Sequence, residues 1–298
     1  MAMLTLERRH DLEECSRKLI SYRNNASPKL PHLYPCADLK YVPAYVSGFL
    51  ARLRWLFPDV FISGLKKADG TTETATYWGS SIAEYVPKNA ARIMIHAKKA
   101  ELQQRIKKTQ LNYERSQFHI TVTLAHELFH VLTGFWTGTD RPGTPPDLYG
   151  GHHGDEEAGE AGWWWEIRHM FKGEIHFYYD TTDPLGPKQS GIPFMKDHES
   201  ETFTRISDAY VRDIYSKGKS DHPKFDATCS PIPKANFRMK NMVGYLNGDY
   251  SSNASSSRAA RRSTRADGSS NSRGNFPAIK LTPELLSTRP KMPVATQA

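Results

Sequence analysis

Cysteine, apolar runs and net hydrophobicity are all scarce in this chain, and each scarcity excludes something. Its 298 residues hold three cysteines, Cys15, Cys36 and Cys229, an odd number, far apart and with no CxxC pair. Such usage argues against a disulfide framework and predicts reduced thiols in a cytoplasmic or nuclear setting. Met1 to Asp11 carries Glu7, Arg8, Arg9 and Asp11 with no apolar stretch between, so no secretory leader is expected. No apolar run approaches the roughly eighteen residues of a membrane helix, which leaves membranes out of the expected partners. Hydrophobic residues make up 38% of the chain, low for a wholly globular protein of this length, and so part of it is predicted to build no core.

The net charge of +8 is localised rather than spread. Between Ser251 and Ala298, Arg258, Arg261, Arg262, Arg265, Arg273, Lys280, Arg289 and Lys291 face only Asp267 and Glu284, so that segment carries a net +6 of the chain's +8. Ser, Asn, Arg and Gly dominate it up to Asn275, and residues 249–298 are predicted to be a disordered basic tail. Basic residues there are not interleaved with aromatics, so a nucleic-acid surface is not expected.

Ahead of the tail the pattern is mixed helix and strand. Leu12, Cys15, Leu19 and Ile20 line one side of a predicted helix over Leu4 to Ile20. Pro43 opens a second helix whose Val46, Phe49, Leu50 and Leu53 recur at helical spacing, and Pro58 ends it. Residues 1–58 are thus expected to be a helical region packed on the core of a main domain over 59–248. Val60 to Leu65 and Glu73 to Trp78 read as strands around an Asp69-Gly70 turn, and Ala91 to Ala97 alternates as a half-buried strand does. Lys98 to Tyr113 reads as a solvated, charged helix or lid. Glu174 to Asp180 is a predicted strand, Thr181 to Pro193 a loop, and Asp197 to Tyr215 a last helix.

The stretch that carries chemistry is His126-Glu127-Leu128-Phe129-His130, set in the apolar run Phe118 to Phe135. Two histidines four apart on a helix share one face, so both imidazoles can reach one metal ion while the glutamate between them serves as base toward a metal-bound water. Ile120, Val122, Leu124, Leu128, Phe129, Val131 and Leu132 make the helix apolar nearly all round. Buried imidazoles and a buried carboxylate cost several kcal/mol without partners, and a divalent cation satisfies all three.

A catalytic zinc usually takes a third protein ligand. The extension HExxHxxGxxH is absent, since Thr133 and Trp136 stand where it needs Gly and His. A glutamate from a later helix is the other arrangement, and the acidic block Asp155 to Glu160 offers Glu156, Glu157 and Glu160, with His152 and His153 as nitrogen alternatives.

With His126-Glu127-Leu128-Phe129-His130, Thr144-Pro145-Pro146 and Gly159-Glu160-Ala161-Gly162, the segment from Ala91 to Tyr215 resembles zincin metallopeptidases of the gluzincin type. More narrowly it is similar to fungal zincin-like proteins of uncharacterised activity, in which a Pro-rich loop and a Gly-Glu-(Ala/Ser)-Gly block follow HExxH. The resemblance implies an α+β zincin-like domain over 59–248, with a small, mostly antiparallel sheet, an active-site helix and a second ligand-bearing helix. It implies zinc as cofactor, His126, His130 and Glu160 as ligands, Glu127 as general base, and peptide or protein as substrate. Glu156 and Glu157 remain rivals for the third ligand, or one of them an orienting acid beside Glu160, the flanking glycines letting the Glu160 backbone approach the metal. His198, Tyr210, Arg205 and Tyr178 are candidates for the oxyanion donor by residue type, and Trp163 to Trp165 could line a subsite with at least one in the core. The alternative expectation is an inactive zincin-like scaffold whose basic tail contacts an acidic partner.

Overall fold

The computed structural model describes residues 9–25, 38–65, 70–74, 85–107, 111–137, 144–145, 148, 159–186, 189–197, 200, 202–217, 225–229 and 237–239. Helix α1 (Arg9–Asn25) buries Leu12, Cys15 and Leu19 completely. Helix α2 (Val42–Trp55) has Pro43 in its first turn, where a missing N–H costs nothing, and buries Val46, Phe49 and Leu53. Beyond Ile20, α1 runs on to Asn25, further than the apolar pattern indicated.

Three strands follow, β1 (Asp59–Ser63), β2 (Gly70–Thr74) and, after the short helix α3 (Pro87–Ala90), β3 (Ala91–His96). They form one sheet in the order β1-β3-β2, with β1 parallel and β2 antiparallel to β3. The sequence suggested that the first two were neighbours across a turn, with the second strand starting at Glu73. Instead β3 lies between them, because Ile93 and Ile95 make it the strand with apolar surface to bury, whereas Gly-Thr-Thr-Glu-Thr suits an edge. This sheet is therefore mixed.

Helix α4 (Ala97–Arg105) ends well before Tyr113, which belongs to α5 (Leu111–Thr137), the 27-residue helix carrying both histidines. The charged segment is also not wholly solvated: Lys99 is buried at 2% exposure, its Nζ donating to Thr123 Oγ1 at 2.6 Å. Helix α6 (Ala161–Trp165) passes into a π-turn (Glu166–Met170) and then β4 (Glu174–Asp180), β5 (Ile192–Lys196) and β6 (Phe203–Ile206). Helix α7 (Asp208–Lys217) precedes β7 (Phe225–Cys229) and β8 (Phe237–Met239), and the second sheet is antiparallel in the order β7-β6-β5-β4-β8.

The helix expected over Asp197 to Tyr215 thus begins only at Asp208, after a turn and the strand β6. Phe203 and Ile206, three apart, satisfy a helical period, but both are buried in a strand that pairs with β5 and β7. The turn before it is closed by Asp197 N donating to Thr202 O at 2.9 Å. Helix α7 starts where Ser207 Oγ accepts from Tyr210 N at 3.1 Å, an N-cap.

One core joins residues of α1, α2, β3, α5, α6 and α7 around α5, including Leu12, Phe49, Ile93, Phe129, Trp165 and Val211. Being surrounded is why α5 is apolar all round. Each such Leu or Phe contributes about 1.5–3 kcal/mol when buried. The N-terminal helices belong to this core: Trp136 Nε1 donates to Ser16 Oγ at 2.7 Å between α5 and α1. Tyr178, Ile192, Phe194 and Phe203 form a smaller cluster on the second sheet. Among the described residues no helix is long and apolar enough to cross a membrane. The basic tail at 249–298 lies outside the described residues.

Candidate metal centre

On α5 the imidazoles of His126 and His130 project from one face with ring centroids 5.4 Å apart. Glu160 meets them from the start of α6. Its Oε1 lies 2.5 Å from His130 Nε2 and 3.4 Å from His126 Nε2. Two imidazole nitrogens and a carboxylate oxygen all within 4.8 Å of one another form a set able to hold a metal ion.

Glu160 is not a residue within the second helix but its N-cap. The backbone there is extended (φ −139°, ψ 101°), and the carboxylate accepts from Trp163 N at 2.6 Å and Gly162 N at 3.3 Å. The helix terminus thereby aims the carboxylate at the histidines. The preceding loop straps it in place: Gly159 N donates to Thr144 O at 2.9 Å and Glu160 N to Leu148 O at 3.3 Å. Both glycines are required by close packing. A Cβ at Gly159 would sit 1.8 Å from Pro145 O, and one at Gly162 would sit 2.4 Å from His126 Cγ.

Behind His126 stands an acid that pattern reading did not single out. Glu166 Oε1 lies 2.8 Å from His126 Nδ1, and Glu166 is 5% exposed. It comes from the π-turn, whose Phe171 N donates to Glu166 O at 2.8 Å. The signal was present in the sequence, because Glu166 is the one acid in the apolar stretch from Ala161 to Phe171. The orienting acid had been sought three or four positions from Glu160, at Glu156 or Glu157; those two, with His152, His153 and His198, lie outside the described residues.

Glu127 is buried at 5% exposure, and its Oε2 accepts from Thr72 Oγ1 at 2.8 Å. Nothing local to either residue announced this pair, 55 positions apart. Of the three tryptophans, Trp164 and Trp165 are core, Trp165 stacking on Phe129 at 5.1 Å. Trp163 is half-buried and meets the His126 ring edge-to-face, centroids 6.3 Å apart. Of the described oxyanion candidates, Tyr210 packs on Phe118, Arg205 pairs with Asp208 at 2.8 Å, and Tyr178 sits between Phe194 and Phe203.

The electrostatics follow from these contacts. Burial alone would push the His126 imidazole down, but the Glu160 carboxylate, with Glu166 behind, holds it well above its usual range. His130 is raised for the same reason, chiefly by Glu160 against the effect of burial. Burial would push Glu160 up; the two imidazoles hold it well below the usual carboxylate range.

Comparison of the chain with models of protein families, with curated proteins and with solved structures found no match.

Proposed function

We propose that the chain is a zinc-dependent hydrolase with a zincin-like domain of the gluzincin type, a metallopeptidase that cleaves peptide bonds. The observation that carries this reading is the convergence of His126 Nε2, His130 Nε2 and Glu160 Oε1 beside a buried glutamate in the HExxH helix. The donor set fits zinc: two imidazoles and one carboxylate are a frequent catalytic ligand set, and Glu166 on His126 Nδ1 leaves Nε2 to face the ion. Zinc bound there would supply a Lewis acid that polarises a carbonyl and acidifies water to a pKa of about 7.

The remaining work belongs to the protein. Glu127 takes a proton from the attacking water and delivers it to the leaving amine. Glu160, held by the Gly162 and Trp163 amides, would offset part of the charge of an ion bound there. Trp163, half-buried beside His126, presents an apolar wall to the substrate.

Elemental analysis of purified wild type beside His126→Ala, Glu127→Gln and Glu160→Gln tests this. The expected result is near-stoichiometric zinc in wild type and Glu127→Gln, much less in the other two, and peptide hydrolysis in wild type alone. Absence of zinc from all four after reconstitution overturns the reading.

A further inference from the structure

We propose that Thr72 is a positioning residue for the Glu127 carboxylate, so that the edge strand β2 sets where the base stands. The inference rests on the metallopeptidase reading and deepens it.

Thr72 Oγ1 lies 2.8 Å from Glu127 Oε2 and 3.1 Å from the Glu127 backbone carbonyl. A hydroxyl has one proton to donate, and the nearer acceptor, the carboxylate oxygen, takes it. A glutamate side chain has three rotatable bonds and would otherwise divide its time among several rotamers. Threonine suits the task because its branched Cβ leaves χ1 little freedom on a strand.

Gly70 closes the other side. It lies two residues before Thr72 and therefore on the same face of β2. A Cβ there would sit 3.0 Å from Glu127 Oε1 and 2.6 Å from Thr123 Cγ2. The carboxylate is consequently held with Oε2 on the threonine hydroxyl and Oε1 against bare backbone. Register enforces this: Thr72 pairs with Ile93 and Gly70 with Ile95, and both isoleucines are buried. A one-residue slip would turn Thr72 and Gly70 away from α5.

The test uses the full chain loaded with zinc, as wild type, Thr72→Val and Thr72→Ser, assayed on a peptide library and crystallised. Valine keeps the shape and loses the hydroxyl; serine restores it. All three should bind zinc equally, since Thr72 does not touch the ligands' donor atoms. Thr72→Val should lower kcat by about tenfold to a hundredfold with KM unchanged, the scale of a misplaced reacting group, and its crystal structure should show the Glu127 carboxylate displaced. Thr72→Ser should keep kcat within about threefold of wild type and the carboxylate in place. An unmoved carboxylate in Thr72→Val, or equal impairment of the valine and serine variants, overturns the proposal. A wild type that hydrolyses no peptide would count against the metallopeptidase reading instead, and the crystal structures alone would then decide whether Thr72 positions Glu127.

Discussion

His126 is gripped through both ring nitrogens: Nδ1 meets Glu166 Oε1 at 2.8 Å and Nε2 faces Glu160 Oε1 at 3.4 Å. The first contact fixes the tautomer and ring plane, and the second defines where a cation would sit. A carboxylate buried six residues beyond Glu160 thus makes a contact that HExxH does not encode.

Removing that carboxylate should weaken metal binding without removing a ligand. Glu166→Ala is expected to lower zinc affinity by about 10–100-fold, and Glu166→Gln, whose amide oxygen can still accept, by less. Competition with a chromophoric chelator measures it. Equal affinity in wild type and Glu166→Ala would mean that the Nδ1 contact does not orient the ring.

Gly162 and Gly159 should tolerate no side chain. Gly162→Ala places a methyl 2.4 Å from His126 Cγ, and Gly159→Ala places one 1.8 Å from a backbone oxygen that cannot step aside. Each is expected to cost about 1–3 kcal/mol of stability or more, read by thermal denaturation. Gly162→Ala should additionally lower zinc occupancy, because the displaced group is a ligand ring. Full occupancy in a folded Gly162→Ala protein would contradict the packing described.

The charge pattern predicts opposite pH responses with and without metal. The raised His126 contributes stability that is complete below its ordinary value of 6.5 and is lost as pH rises through its folded value. The lowered Glu160 contributes stability that is complete above its ordinary value of 4.5 and is lost as pH falls through its folded value. In chelator-treated protein the ligand cluster therefore stabilises most between pH 4.5 and pH 6.5. Zinc needs both imidazoles deprotonated, so its affinity should climb with pH and binding should release protons at neutral pH. Denaturation of chelator-treated wild type and Glu160→Gln across this range, with calorimetry of zinc binding in buffers of different ionisation enthalpy, checks both. A stability difference that stays flat with pH, or binding that releases no protons, would contradict the coupling between Glu160 and the imidazoles.

Ser16→Ala should destabilise the whole chain and not merely fray its N-terminus, because Ser16 Oγ accepts from the indole N–H of Trp136, which is 4% exposed in the shared core. The expected loss is about 1–3 kcal/mol, the cost of taking the acceptor from a buried donor. A single cooperative transition shifted to lower temperature would bear this out; an unchanged midpoint would not.

Much of this architecture was legible because it is local. His126 and His130 share a face through the helical repeat alone, α2 announces itself by Pro43 and its apolar spacing, and Glu174–Asp180 forms the strand its pattern predicts. Where the reading failed, two local solutions were nearly equal and distant partners chose between them. Phe203 and Ile206 fit a helix until β5 and β7 supply hydrogen bonds on both sides. Lys99 looked like one more solvated charge until α5 brought Thr123 to its ammonium.

By itself the sequence determined the α+β mixture of elements, the helix that bears the two histidines and Glu127, and the short list of acids that could join them. The tertiary structure alone decided that Glu160 meets the histidines as an N-cap, that Glu166 stands behind His126, and that Thr72 reaches Glu127 from an edge strand. The reason is physical: helical and strand periods act over a few residues and are written in composition, whereas a 2.8 Å contact between residues 40 or 55 positions apart exists only once a whole core has set the distance between their elements.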